Sequence, residues 1–393
     1  MSTTTHIEWT DRTWNPVIGC SRVSAGCGDG TGGGCYAERM AHRLGANPST
    51  PQYEGLTRAT PKGPRWTGIV RCLPERLADP LRWTKPCRVS VNSMSDLFHE
   101  AVPFEFTAAV FGIMALSHRH TFQLLTKRPE RALEFFEWLR VQAHPTPSMP
   151  SAEERLWTEC HWYALQHDAG DVSYDEATLG RPWPLPHVWL GVSVEDQATA
   201  DERIPLLLRC PAALHWTSYE PALGPVDFSP WLPDEECCLE DCPGWPHLRF
   251  VVVGGESGPG ARPFDLGWAR SVIRQCRAAK VAPYCKQLGA VPMQSPQGFA
   301  DYGHGGLPFD DEGRLHLHDR KGGDPSEWPA DLRVRLFPGV THMTDYDPAD
   351  ETKAVPPGTC ANNDGRPVCP PSKVLCRECM DMIGETLRAL LAR

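Results

Sequence analysis

The chain has no run of about 18 apolar residues, the length a membrane-crossing helix needs, and no apolar segment follows Met1. Both absences point to a cytoplasmic protein with no membrane partner. An excess of positive charge is also missing, the formal net charge being -10. Residues 1–150 hold 17 Lys and Arg against 13 Asp and Glu, a balance of +4, and the remainder holds 22 against 36, a balance of -14. A nucleic acid coating the whole surface is thereby disfavoured, because phosphate affinity rests on basic surface; a local basic face near the first cysteines stays open.

What the chain does have is 16 cysteines. A secreted disulfide framework belongs to chains under about 100 residues that carry a signal peptide, so a reducing compartment and metal ligation are the better fit. The first group lies in WNPVIGCSRVSAGCGDGTGGGCYAERMAHR, residues 14–43, where six residues separate Cys20 from Cys27 and seven separate Cys27 from Cys35. Neither gap suits a structural zinc site, which prefers paired ligands two to four residues apart and four in number. Three thiolates on a glycine-rich loop suit an iron-sulfur cluster, which tolerates irregular gaps and, ligated three times, leaves one iron open.

WNPxxGC, SxGC and CYAERMA resemble the opening of the phage three-cysteine-motif family, a domain of unknown function regarded as a divergent branch of the radical S-adenosylmethionine enzymes. SVNSMSDLFHE (90–100), LLTKRPER (124–131), WLGVSVED (189–196) and VVVGGESGPGARP (251–263) match it too, so the resemblance runs from about Ile7 to Leu288 and weakly to Phe337. The chain departs from the family in placing GDGTGGG, rather than two residues, between Cys27 and Cys35. The resemblance implies a 4Fe-4S cluster on Cys20, Cys27 and Cys35 and S-adenosylmethionine on the open iron. It further implies a reduced electron donor such as flavodoxin or ferredoxin, and a bacterial host cytoplasm if the chain is phage-encoded.

Periodicity places strands at 88–93, 120–126, 187–194, 213–218, 250–254 and 282–286, and helices at 103–116, 129–141, 196–209 and 265–278. Alternation of this kind predicts an α/β fold with a parallel sheet, and about six units fit the partial (β/α)6-type barrel that the resemblance implies. Residues 1–338 form this domain, interrupted by insertions at 144–186, a lid or surface excursion, and 229–248, where Cys237, Cys238, Cys242 and His247 sit. A proline- and aspartate-rich linker then leads, within 339–393, to Cys360, Cys369, Cys376 and Cys379, a four-thiolate set for a small zinc-stabilised tail.

Function in such sheets gathers at the carboxyl ends of the strands. Polar groups stand there at Ser93, Ser95 and Asp96, at Thr126 to Arg128, at Ser193, Glu195 and Asp196, at Ser218 to Glu220 and at Glu256. Within the radical S-adenosylmethionine frame, Tyr36 takes the place of an aromatic near the adenine, Ser95 and Asp96 offer acceptors to the cofactor ammonium, and Ser193 and Glu195 face the ribose. Glu220 and Glu256 complete the cofactor-facing set. Lys127, Arg128 and Arg262 supply cations for a substrate carboxylate or phosphate, and Cys285 is a candidate hydrogen donor in catalysis. The substrate implied is a nucleobase or nucleotide. Two other functions compete: a nucleic-acid-binding protein whose cysteines all hold zinc, without catalysis, and an iron-sulfur protein that only transfers electrons.

Overall fold

The computed structural model describes residues 5, 7–28, 34–142, 183–233 and 246–338, with residues 156, 159, 162, 163 and 166 between them. All of these except Pro246 belong to one compact unit. The cysteines at 237, 238 and 242 and the four-thiolate set at 360–379 lie outside the described residues.

Seven parallel strands run through the unit in sequence order, curled into a half-barrel. They are β1 (Arg12–Trp14), β2 (Arg88–Val91), β3 (Thr121–Thr126), β4 (Val188–Val194), β5 (Leu214–Tyr219), β6 (Leu248–Gly254) and β7 (Ala282–Gln287). The helices are α1 (Tyr36–Gly45), α2 (Phe104–Leu116), α3 (Pro129–Gln142), α4 (Gln197–Leu208), α5 (Leu266–Ala278) and the short α6 (Pro296–Tyr302). Six of the strands and α2 to α5 fall within two residues of the limits read from the sequence. The correction is β1, a seventh strand at the sheet edge. Three residues are too few for a period to show, and its identity comes from pairing with Val89, Ser90 and Val91.

Side chains alternate across the sheet. Val188, Leu190, Val192 and Val194 point outward into the main core, with Val251, Val253 and Cys285, and meet Phe106, Val110, Phe135, Ile204 and Val272 from the helices. Because this layer is covered by helices, the outward positions are apolar throughout. α2 is buried on nearly all sides, from Phe106 to Met114, so its apolar residues do not form a single stripe. The described part of the 144–186 insertion packs on this helical layer, with Tyr163 against Phe106 and Trp183 against Phe111. α4 begins at a reciprocal cap in which Asp196 accepts from Thr199 N at 2.9 Å and the Thr199 hydroxyl accepts from Asp196 N.

The concave face is different at its two ends. Near the amino ends of the strands it is closed by rings: Trp9, Trp216, Phe250, Tyr284 and, partly buried, Trp189 and Phe337. Gly191 pairs with Trp216, and a Cβ there would lie 2.6 Å from the indole, so only glycine leaves room for that ring. Phe337 stacks on Phe250 at 5.7 Å while Arg88, from the far side of the curl, lies 4.2 Å above it. This apolar floor, each ring contributing about 2 kcal/mol by burial, leaves the carboxyl end of the concave face to polar residues.

Candidate functional site

Polar groups from five strand ends meet at the mouth of the half-barrel, and the cysteine loop lies on them. Each of the three cysteines is anchored there, Cys20 through its sulfur and Cys27 and Cys35 through their chain neighbours.

Cys20 is fastened at the ends of β2 and β3. Its sulfur lies 3.8 Å from Arg128 Nη1, which also donates to Asp96 Oδ2 at 3.1 Å. The other Arg128 nitrogens reach Ser21 Oγ at 2.7 Å, the Ser21 carbonyl at 3.2 Å and Glu100 Oε1 at 3.2 Å. Ser21 Oγ is in turn bonded to His99 Nε2 at 2.9 Å. Burial, helped by the Asp96 charge, pushes the Cys20 thiol up to about 12; Arg128 pulls it down, and Cys35 and Cys27 add to the rise.

Cys27 is fastened at the end of β4. Ser24 donates to Glu195 Oε1 at 2.9 Å, and Gly26 sits so close that a Cβ there would lie 2.2 Å from the same oxygen. Glu195 is fully buried and carries two cations, Lys127 and Arg203, the latter at 3.1 Å. On the other flank, Arg22 donates to the Gly28 carbonyl and to buried Glu38, both at 2.5 Å.

Cys35 is fastened at the end of β6. Gly34 N donates to Glu256 Oε1 at 3.1 Å, and Arg262 grips the same carboxylate with Nε at 2.8 Å and Nη2 at 3.0 Å. Cys35 itself caps α1. Burial raises its thiol, the amide groups of Glu38 and Ala37 at the helix start lower it, and Cys27 raises it again, with a net rise. Each of Cys20, Cys27 and Cys35 is therefore within electrostatic reach of another, and all three are free thiols.

The concave face beside the loop carries Lys127, whose ammonium donates to Ser193 Oγ at 2.7 Å and pairs with Glu195, and Glu220, which pairs with Lys286 at 3.0 Å and accepts from Ser218 at 3.0 Å. Ser193 and Ser218 face each other in register across β4 and β5. The absence of a side chain at Gly254 makes room for Glu220, which would lie 2.7 Å from a Cβ there.

Several residues expected from the sequence to face a cofactor are spent within the protein. Asp96 accepts from Phe98 N, Thr126 Oγ1, Lys127 N and Arg128, leaving no acceptor turned toward a ligand ammonium; it positions Arg128 instead. The Ser95 hydroxyl donates to the Val17 carbonyl at 2.8 Å. Tyr36 is 58% exposed on α1. Cys285 is fully buried on the outward, helix-facing side of β7, its thiol pushed up to about 12 chiefly by burial, so it stands apart from the mouth. Missing from the sequence reading were Arg22, Ser24, Glu38, His99, Arg203 and Lys286. Arg203, in the middle of α4, looks like an ordinary solvent-facing cation, and only the fold turns it onto Glu195.

Among the described residues no three His, Cys, Asp or Glu side chains converge as ligands of a single ion would. No curated protein and no solved structure matches the chain significantly. A family model does match, over residues 4–340, and the chain belongs to that family, the proteins of unknown function DUF5131.

Proposed function

We propose that this protein is an iron-sulfur enzyme of the radical S-adenosylmethionine type, with Cys20, Cys27 and Cys35 holding a 4Fe-4S cluster and a nucleotide or nucleobase as substrate. The observation that carries this reading is the separate anchoring of the cysteine segment at the carboxyl end of a parallel half-barrel: Arg128 at the Cys20 sulfur, Glu195 at Ser24 and Gly26 before Cys27, and Glu256 at Gly34 before Cys35. The donor set is of the kind the group needs: Cys20, Cys27 and Cys35 are three free thiols in one stretch of sequence, and thiolates are the ligands that would hold iron. Cys20, Cys27 and Cys35 would hold the cluster, which when bound and reduced would supply the electron for reductive cleavage of S-adenosylmethionine.

The chain's own residues prepare the site. Arg128 places a fixed cation against Cys20, which favours the thiolate that a metal needs. Lys127, Ser193, Ser218, Glu220 and Lys286 form the polar lining that would hold the amino-acid head and hydroxyl groups of the bound sulfonium compound. The aromatic floor of Trp216, Phe250 and Tyr284 closes the lower end and keeps water from entering there.

Anaerobic reconstitution with iron and sulfide tests the proposal. The expected product is a brown protein with about four irons that forms 5′-deoxyadenosine when reduced with S-adenosylmethionine present, whereas Cys27→Ala does neither. A colourless product, or full iron loading in Cys27→Ala, sinks it.

A further inference from the structure

Between residues 34 and 86 the balance of charge reverses: nine Lys and Arg stand against four Asp and Glu, in a chain whose net charge is -10. This segment contains α1 and a hairpin in which Thr57–Arg58 pairs with Arg65–Trp66. The two elements are joined: His42 Nδ1 meets Thr57 Oγ1 at 3.1 Å, and Trp66 N donates to Glu38 Oε1 at 2.7 Å. Salt bridges here run from Glu38 to Arg22 and Arg65, and from Asp79 to Arg76 and Arg82. Arg43, Arg58 and Lys62 are left exposed with no acidic partner among the described residues.

The register adds a second observation. Arg58 and Arg65 stand directly opposite each other across the hairpin. Like charges so placed destabilise a strand pair, and Glu38, 3.7 Å from Arg65, offsets only one of them. Such a pair is stabilised when an anion bridges it. The hairpin is also tied to the cysteine loop, because buried Glu38 holds both Arg65 and Arg22, and Arg22 holds the carbonyl of Gly28, next to Cys27. Tyr36, exposed and adjacent to Cys35, places a ring on the same element as Arg43. Exposed cations on two joined elements, with an exposed aromatic on one of them, are the residue types that hold a single strand by its phosphates and stack a base.

We propose that the hairpin and the exposed side of α1 bind the phosphodiester backbone of a nucleic-acid strand and lay it beside the cysteine loop. The proposal rests on the radical-enzyme reading only for what the strand is brought to. DNA and RNA share the backbone chemistry, and the test separates them.

The test is fluorescence anisotropy of the full-length protein with labelled single strands of about 20 nucleotides, as DNA and as RNA, over a range of salt. Wild type should bind at low salt, with affinity falling as salt rises. Arg43→Glu, Arg58→Glu and Lys62→Glu combined should weaken binding about 30-fold or more and reduce the salt slope by about 2, as expected for three lost phosphate contacts on a single strand. Arg277→Glu, on α5, should stay within about twofold. Loss on one strand type alone assigns the ligand to that type, and equal loss on both assigns the shared backbone. If the triple variant does not fold, Arg58→Ala and Lys62→Ala singly replace it, each expected to lower the slope by about 0.7. No binding by wild type at low salt, or an unchanged slope in the variants, overturns the proposal. Iron loading of the same samples separates the two ideas, since a protein that takes up iron but binds no strand loses only this surface, and one that binds a strand but takes up no iron loses only the cluster.

Discussion

The guanidinium of Arg128 lies 3.8 Å from the sulfur of Cys20 while its other donors hold Ser21 and Glu100. One side chain thus contacts a candidate ligand and its neighbouring backbone, and it is itself fixed by Asp96 at 3.1 Å. The fork geometry matters: several donors act at once in different directions, which a lysine ammonium on a flexible stem cannot reproduce.

Arg128→Lys should therefore behave nearly as badly as Arg128→Ala. Arg128→Ala leaves Asp96 buried without its charge partner, a loss of about 3 kcal/mol; Arg128→Lys keeps a cation but loses the fork that reaches Asp96, Ser21, Glu100 and Cys20 together, and both should reduce iron retention after reconstitution by more than about half. Thermal melts and iron analysis of the two variants check this. Wild-type iron content in Arg128→Ala would show that the contact with Cys20 is incidental.

Gly26→Ala probes the second fastening. A methyl there would lie 2.2 Å from Glu195 Oε1, and because that carboxylate is held by Lys127 and Arg203 it has little freedom to retreat. The loop must shift instead. Expected are a stability loss of about 1–3 kcal/mol and slowed or incomplete cluster assembly, with far-UV circular dichroism unchanged. Iron uptake at the wild-type rate would show that Cys27 does not depend on this close approach.

Glu195→Gln should be the most damaging of the isosteric changes. One carboxylate, fully buried, balances Lys127 and Arg203, so the amide leaves two cations at the mouth without compensation. The loss should be about 3–5 kcal/mol, measured by urea unfolding. Replacing Lys127 with Met in the same chain should recover part of it, because one of the two stranded charges is then gone; no recovery would mean the network is not the source of the loss.

Much of this architecture could be read from the residues, and the limits have physical causes. The runs 188–194 and 248–254 are apolar at outward positions because helices cover them, so their pattern announces buried strands. β1 carries no such pattern, and what makes it a strand is the neighbour 77 residues later. Likewise, the spacing of polar residues after each strand showed where a site lies, but not which of them are free. Asp96 and Glu195 have the same local appearance, and each is consumed by partners on other elements: Thr126 and Arg128 in one case, Ser24, Lys127 and Arg203 in the other. Asp196 is the exception, since Asp-x-x-Thr at a helix start is a local capping signal.

The third fastening gives a pH dependence with a definite sign. Burial tends to raise the Glu256 carboxyl, but the Arg262 side chain and amide, and the Gly34 amide, favour its charged form more strongly and hold it below the ordinary carboxylate value. The folded value is therefore lower than the unfolded one, near 4.3 for a glutamate. Such a group stabilises the fold fully above its unfolded value, and the contribution fades as pH falls toward and through the folded value. The stability difference between wild type and Glu256→Gln, about 1–2 kcal/mol near neutrality, should be constant from about pH 7 down to about pH 5 and shrink below about pH 4. Taking the difference between the two proteins removes other carboxylates that titrate in the same range, among them Asp11 and Glu100. Because Gly34 N bonds this carboxylate at 3.1 Å, the same acid range should loosen the segment before Cys35, read as faster amide hydrogen exchange there once each rate is corrected for its intrinsic pH dependence. A difference that stays constant down to about pH 3 would mean that the Arg262 pair contributes to the fold through packing and not through charge.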